Sequence, residues 1–341
     1  MALITHDIFG NKYDKVERAT KALQTFCPEE GYYVAYSGGK DSTALLALIR
    51  MANVKCDVHY NATTVDPPEL VRFIIQQFDT VIYENNGVPY KWFTTHHPGK
   101  LLFPISKEEA QGNIIYFNIP AIPMLKLIPY KKFPPTRIQR YCCEALKETN
   151  GMGRIVTTGV RWAESRNRKD NQGLVTIFFD QNVMRTAEEM GANFTKTVRG
   201  GVVLNLDNAA ERRTVEHCYR TNKTLVNPII DWTDDDVWEF IHAEKIPYCG
   251  LYDEGCRRLG CVGCPLGGFI SMKREFERWP QYKKLYIRAF DEMLAVRIAE
   301  GKTNHNRLWT SGEGVFRWWI GEDSKQDPNQ ITIFDDWEEP Y

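Results

Sequence analysis

The sequence predicts an α/β fold, a doubly wound and mostly parallel sheet with helices on both faces, followed by a helical C-terminal region. Three observations predict it. Short apolar, β-branched or aromatic runs alternate with amphipathic helical runs through the first hundred residues. One strand-to-helix junction is the glycine turn Ser37-Gly38-Gly39-Lys40-Asp41-Ser42. Beyond Cys264 the chain becomes helical and aromatic. At 341 residues, 43% hydrophobic and 26% charged, it can bury a sizeable core in one large domain with insertions or in two domains.

The first element is an amphipathic helix over Lys15 to Phe26, expected to pack on the sheet near the glycine turn. Tyr33-Val34-Ala35-Tyr36 reads as a buried strand, and Thr43 to Ile49 as the helix that follows the turn. Backbone N–H groups and a helix N-terminus converge at such a junction, and glycines let phosphate oxygens approach the backbone. Tyr36, Ser37, Gly38, Gly39, Lys40, Asp41 and Ser42 are therefore the expected phosphate-binding stretch. A second strand, Lys55 to Ala62, leads to Asp66-Pro67-Pro68-Glu69, with Asp66 as N-cap of a helix running to about Tyr83. Tyr90 to Thr95 reads as a third strand. Ligands of such sheets bind beyond the carboxyl ends of the strands, which puts Ser37–Ser42 and Asp66 on one rim.

Residues 97–135 lack a clear period and read as an insertion or lid. Arg137, Arg140 and Lys147 make the next stretch basic, and Cys142-Cys143 opens a helix within it. Arg154 to Val160 is another strand, and Arg161, Arg166, Arg168 and Lys169 crowd its carboxyl end. Charge runs are usually solvated faces, but this one lies on the ligand rim. Gly159, Arg161 and Arg168 are therefore expected at the nucleotide. Residues 170–225 form a second insertion, with strand-like pieces at 174–179 and 201–206. The core resumes at Val226, and Thr233 caps a helix whose first turn is acidic. The expected division is 1–270, with insertions at about 97–135 and 170–225, and a helical region 271–341. Its aromatic stripe reads as core packing rather than a base-stacking platform.

The formal net charge of -1 gives no global drive towards nucleic acid or membrane, so any polyanion site must be a local basic patch. No apolar run reaches the roughly 18 residues of a membrane span, and the first residues do not read as a secretory signal. A cytoplasmic protein is expected. Nine cysteines are the unusual count. Cys256, Cys261 and Cys264 stand in C-x4-C-x2-C spacing within a glycine-rich loop, which favours metal over disulfides. Cys142 or Cys143 is the natural further ligand, and Cys249 a weaker one. Spacing alone leaves iron–sulfur and zinc equally open.

Several separated motifs occur in a fixed order: S-G-G-K-D-S, the Asp66…Glu69 turn, Cys142-Cys143, Gly159-Val160-Arg161…Ser165…Arg168, Asn227-Pro228…Asp231-Trp232 and Gly260-Cys261…Cys264. Together they resemble the phosphoadenosine phosphosulfate reductase family of the PP-loop ATP pyrophosphatase (adenine nucleotide α-hydrolase) superfamily, over about residues 28–270 outside the insertions. The resemblance implies ATP with Mg2+ at the loop, Lys40, Asp41 and Arg161 in catalysis, and a 4Fe-4S cluster rather than zinc, held among Cys142, Cys143, Cys256, Cys261 and Cys264. Reductases of the family carry a nucleophilic cysteine near the C-terminus, and here the 77 residues after Cys264 contain none. With the additional Cys256, the chain is therefore closest in character to the sulfur-transfer proteins of DNA phosphorothioation, which have tRNA-thiolating relatives. The expectation is an ATP pyrophosphatase that activates an oxygen of nucleic acid, DNA or tRNA, for sulfur from a donor such as a cysteine desulfurase. The alternatives are a sulfonucleotide reductase using an external thiol, and a non-catalytic nucleotide-sensing subunit of a modification or defence complex.

Overall fold

The computed structural model describes residues 2–6, 10–95, 102–148, 150–178, 181–198, 201–302 and 309–322; the tail from Asp323 lies outside them. The chain divides into two compact units, Met1–Ala121 with Cys143–Gly260, and Ile122–Cys142 with Cys261–Tyr341.

The first unit is built on a mixed sheet of eleven strands among the described residues. Their order in space is Phe194–Lys196, Val202–Leu204, Val175–Ile177, Thr224–Val226, Ile155–Thr157, Tyr32–Ala35, Cys56–Asn61, Ile114–Ile119, Thr80–Asn85, Val88–Thr94 and Phe103–Pro104. The six from Thr224–Val226 to Thr80–Asn85 run parallel, and the outer strands add antiparallel edges. The fold is thus the α/β class that the alternating runs predict. Tyr32–Ala35 lies in the middle of the parallel block, so the glycine turn leaves from the centre of its carboxyl rim. The helix Lys15–Phe26 starts where expected, capped by the Asp14 carboxylate, which accepts the Val16 N–H. It buries Val16, Ala19, Leu23 and Phe26 and packs against the helix Lys40–Ala52.

Two stretches differ from the sequence expectation. The helix Pro68–Gln76 stops well before Tyr83. The β-branched run Thr80-Val81-Ile82 forms a strand instead, and it pairs antiparallel with Val88–Thr94 through the two-residue turn Asn86-Gly87. Both turn residues have positive φ, 51° and 77°, the geometry for which Asn-Gly is suited. Tyr90–Thr95 therefore belongs to a hairpin rather than a third parallel strand. Residues 97–135 contain the strand Ile114–Ile119, which pairs in parallel with Cys56–Asn61 on one side and Thr80–Asn85 on the other. In residues 170–225 the strand-like pieces are strands as read, Val175–Ile177 and Val202–Leu204, and the stretch adds the strand Phe194–Lys196 and the helix Ala209–Cys218.

One sheet residue sets a pH dependence. His59 stacks between Tyr33, at 3.9 Å between ring centroids, and Tyr116, at 4.8 Å. Burial pushes its pKa down to about 4, against an Asn118 hydrogen bond that favours the charged form. His59 is therefore neutral at pH 7, and its 3.7 Å approach to Glu84 is not an ion pair. The unfolded chain takes up this proton near pH 6.5 and the folded chain only near 4, so stability is complete above about 6.5 and falls as the pH drops towards 4. The expected loss is about 3 kcal/mol across that window. Glu84, whose pKa burial raises, contributes with the opposite sign at the lower end. Urea titrations of His59→Phe between pH 7 and 4 should show a flatter profile than the wild type.

In the second unit the helices Gly268–Arg278, Pro280–Ala299 and Gly312–Trp319 pack with Met124–Lys131. Phe276, Tyr286, Phe290, Phe316 and Trp319 form one ring cluster, with centroids 4.9 to 6.2 Å apart. The aromatic stripe is core packing. Trp319 Nε1 donates to the Pro135 carbonyl at 2.6 Å, which ties the segment 122–142 to these helices. Among the described residues no helix is long and apolar enough to cross a membrane.

Candidate functional site

The glycine turn sits between strand and helix as its sequence requires. Gly38 has φ +73°, and a Cβ there would meet Ile74 and Leu70 at 2.7 to 2.8 Å, so only glycine lets the chain turn over the helix Pro68–Gln76. Ser42 Oγ donates to the Gly39 carbonyl at 2.9 Å and accepts the Ser37 N–H at 3.2 Å, closing the turn on itself. Ser37 Oγ lies 3.1 Å from Ser42 Oγ. Tyr36 contributes backbone only: its ring is buried edge-on against Phe78, and burial pushes its phenol up to about 12. Gly159 is the second close approach. A Cβ there would lie 2.8 Å from the Asp41 carbonyl carbon and 3.1 Å from the Ser42 nitrogen, rigid backbone that no rotamer can relieve.

Lys40, Asp41 and Arg161, expected together from sequence, converge. Lys40 is buried, and its Nζ lies 3.2 Å from Asp41 Oδ1 and 3.1 Å from Asp234 Oδ1. Arg161, 2% exposed, places Nη2 2.5 Å from Asp234 Oδ1 and donates from Nη1 to the Trp232 carbonyl at 3.2 Å. Its Nε stands 2.8 Å from Asp41 Oδ1, but the N–H is not aimed at that oxygen, so this contact is ionic rather than a formed hydrogen bond. Two cations thus face two carboxylates. Burial works against the charge of Asp234, but Lys40 and then Arg161 outweigh it and hold its pKa below the usual carboxylate value.

Asp234 is a residue that the sequence reading passed over as one of three acids in a helix's first turn. Thr233 is the cap as expected, accepting the Asp236 N–H, and Asp236 answers by accepting the Thr233 N–H. Asp236 pairs with Lys15, which leaves Asp234 to turn to Lys40 and Arg161. Tyr252 was missed as well: its hydroxyl accepts the Lys40 backbone N–H at 2.9 Å. No local pattern in the sequence marks it.

The remaining rim residues have partners of their own. Asp66 does not cap the helix Pro68–Gln76, whose N-cap is Pro67; its carboxylate instead accepts the Thr63 N–H and hydroxyl at 2.8 and 2.7 Å. Pro68 lacks the N–H that a carboxylate capping from Asp66 would meet at the second helical position. Arg168, on the short helix Arg166–Asn171, pairs with Glu164, which also accepts the Arg161 N–H.

None of the nine cysteines is in a disulfide. Cys143 and Cys256 belong to the first unit; Cys142, Cys261 and Cys264 belong to the second. In the second unit the fully buried Tyr286 has its phenol pKa raised by burial first, and then by the thiols of Cys261, Cys264 and Cys142. Among the described residues no group of three or more His, Cys, Asp or Glu stands at metal-holding spacing.

A parallel α/β sheet with a glycine loop at the centre of its carboxyl rim defines the class of protein. Comparison narrows it. Residues 124–266 match the phosphoadenosine phosphosulfate reductase domain. An uncharacterized protein of Methanocaldococcus jannaschii is 33% identical over 97 residues, 28% of this chain and 21% of that protein. The adenosine 5'-phosphosulfate reductase of Staphylococcus haemolyticus is 34% identical over 65 residues, 19% of this chain and 27% of that protein. The phosphoadenosine 5'-phosphosulfate reductase of Xylella fastidiosa is 28% identical over 175 residues, 48% of this chain and 71% of that protein. The chain is thus similar to phosphoadenosine phosphosulfate reductases, over the domain at residues 124–266. It spans about a fifth to a quarter of the length of the first two of these relatives.

Proposed function

We propose that the protein binds ATP through its phosphates and splits it between the α- and β-phosphates, activating a substrate oxygen for sulfur transfer. The observation that carries this reading is the convergence of Lys40, Asp41 and Arg161 on the Ser37–Ser42 loop. A substrate oxygen attacks the α-phosphorus, a new P–O bond forms, and the bond to the bridging oxygen breaks with its electron pair leaving on pyrophosphate. Lys40 and the loop N–H groups hold the charge that accumulates on the β- and γ-phosphates, and Arg161 orients Asp41. Mg2+ bound with ATP would supply further neutralisation, with Asp41 as the carboxylate that would hold it. The thiols of Cys142, Cys261 and Cys264 are soft donors of the kind that suit a 4Fe-4S cluster, or zinc as the alternative. Cys142, Cys261 and Cys264 would be among its ligands, and the cluster would supply sulfur binding. The acceptor in this reading is nucleic acid, DNA or tRNA, and the sulfur donor a cysteine desulfurase.

The family match and the two reductase relatives favour a second reading, reduction of an adenylyl sulfate by an external thiol. One pair of assays separates them. Protein purified without oxygen is incubated with Mg2+ and α-labelled ATP, and separately with phosphoadenylyl sulfate and a thioredoxin system. AMP and pyrophosphate support the first reading and sulfite the second. Nucleotide binding with neither product leaves a non-catalytic sensing role.

A further inference from the structure

The donors that a phosphate chain would take are held by two oxygens of the protein itself. Tyr252 Oη accepts the Lys40 N–H at 2.9 Å, and Asp234 Oδ1 lies 3.1 Å from Lys40 Nζ and 2.5 Å from Arg161 Nη2. Both residues come from far along the chain, and neither belongs to the glycine loop. We propose that Asp234 and Tyr252 are an internal stand-in for phosphate, displaced when nucleotide binds, and that the displacement of Tyr252 is passed to the turn that carries Cys256. The inference rests on the ATP reading above.

The physical case has three parts. A buried ammonium or N–H without an acceptor is costly, so oxygens that fill these places keep the cradle intact between turnovers. The Asp234 side chain is 67% exposed and can turn to water, where a charge is readily solvated. Tyr252 is different, because it is half-buried and packs edge-on against Trp238 at 5.0 Å between centroids. Its backbone is part of a closed turn: Tyr252 N donates to Cys249 O at 3.1 Å, Gly255 N to Tyr252 O at 3.0 Å, and Cys256 N to Leu251 O at 3.1 Å. A shift of this ring therefore reaches both Trp238 and the backbone of Cys256. Occupancy of the cradle becomes a signal to one of the cysteines.

Calorimetric titration of the full-length protein with α,β-methylene-ATP and Mg2+ tests this. A residue that merely supports the fold would weaken binding when replaced, whereas a competitor strengthens it. Asp234→Asn and Tyr252→Phe should each tighten binding by roughly three- to tenfold, the worth of one released hydrogen bond, and Asp235→Asn on the same turn should not change it. The tryptophan emission change on binding should depend on Trp238, disappear in Trp238→Phe and shrink in Tyr252→Phe. Wild-type binding with unchanged or weaker binding in both variants overturns this inference alone. Absence of wild-type binding overturns the ATP reading and this inference with it.

Discussion

Replacement of Lys40 by Ala is expected to lower pyrophosphate release by about 10²- to 10³-fold, the usual effect of removing one fixed charge-stabilising donor. The side chain is buried, and it sits where the first turn of its helix already concentrates partial positive charge. In the leaving-group step the added negative charge appears on the β- and γ-phosphates, so the loss belongs in kcat more than in substrate affinity. The fold should survive. The helix Lys40–Ala52 keeps its apolar face of Leu45, Leu48 and Ile49, and Asp41 keeps Arg161 as a cationic neighbour. Asp41→Asn should lose release to a similar degree and shift its dependence on Mg2+. Unchanged release in either variant, measured with enzyme of wild-type circular dichroism, would sink the assignment of this loop to the reaction.

What the sequence made legible follows from how local the cause was. The loop, its strand and its helix were readable because glycine pairs, apolar runs and caps act within a few residues. Lys15–Phe26 and the Thr233 cap were readable for the same reason. Ile114–Ile119 was not, because a central strand buried by neighbours on both sides shows no alternation, and its setting of Pro, Gly and Lys reads as loop. The hairpin at Asn86-Gly87 did carry its signal, an Asn-Gly pair between β-branched runs, and the apolar continuity of residues 70–83 masked it. At the site, Lys40 and Asp41 announced themselves by motif. Asp234 and Tyr252 reach the loop only through tertiary packing, and nothing within their own segments separates Asp234 from Asp235. Arg161 was found for a chemical reason, a cation on the ligand rim, but the extent of its burial was not visible.

That burial makes Arg161 the residue whose loss should cost the fold most. It is 2% exposed and ties together two other segments: Asp41 on the loop helix, and the Trp232 carbonyl with Asp234 at the start of the following helix. Removing one partner of a buried charge network leaves the others uncompensated, and such truncations cost about 3–5 kcal/mol. Most of that cost should come through Asp41 and the carbonyl, because Asp234 is largely exposed and water replaces part of its lost partner. Arg161→Ala is therefore expected to lower the urea midpoint sharply, with an unchanged m-value if the protein still unfolds in one step. Arg161→Lys should recover only part of the loss, since an ammonium cannot span two carboxylates and a carbonyl as the planar guanidinium does. The same lysine variant separates structure from function. If it restores stability while nucleotide binding stays weak, Arg161 acts on the phosphates through the position of Asp41. If stability and binding recover together, the residue's part is to hold the loop helix against the helix that begins at Asp234. A wild-type midpoint in Arg161→Ala would contradict the network itself.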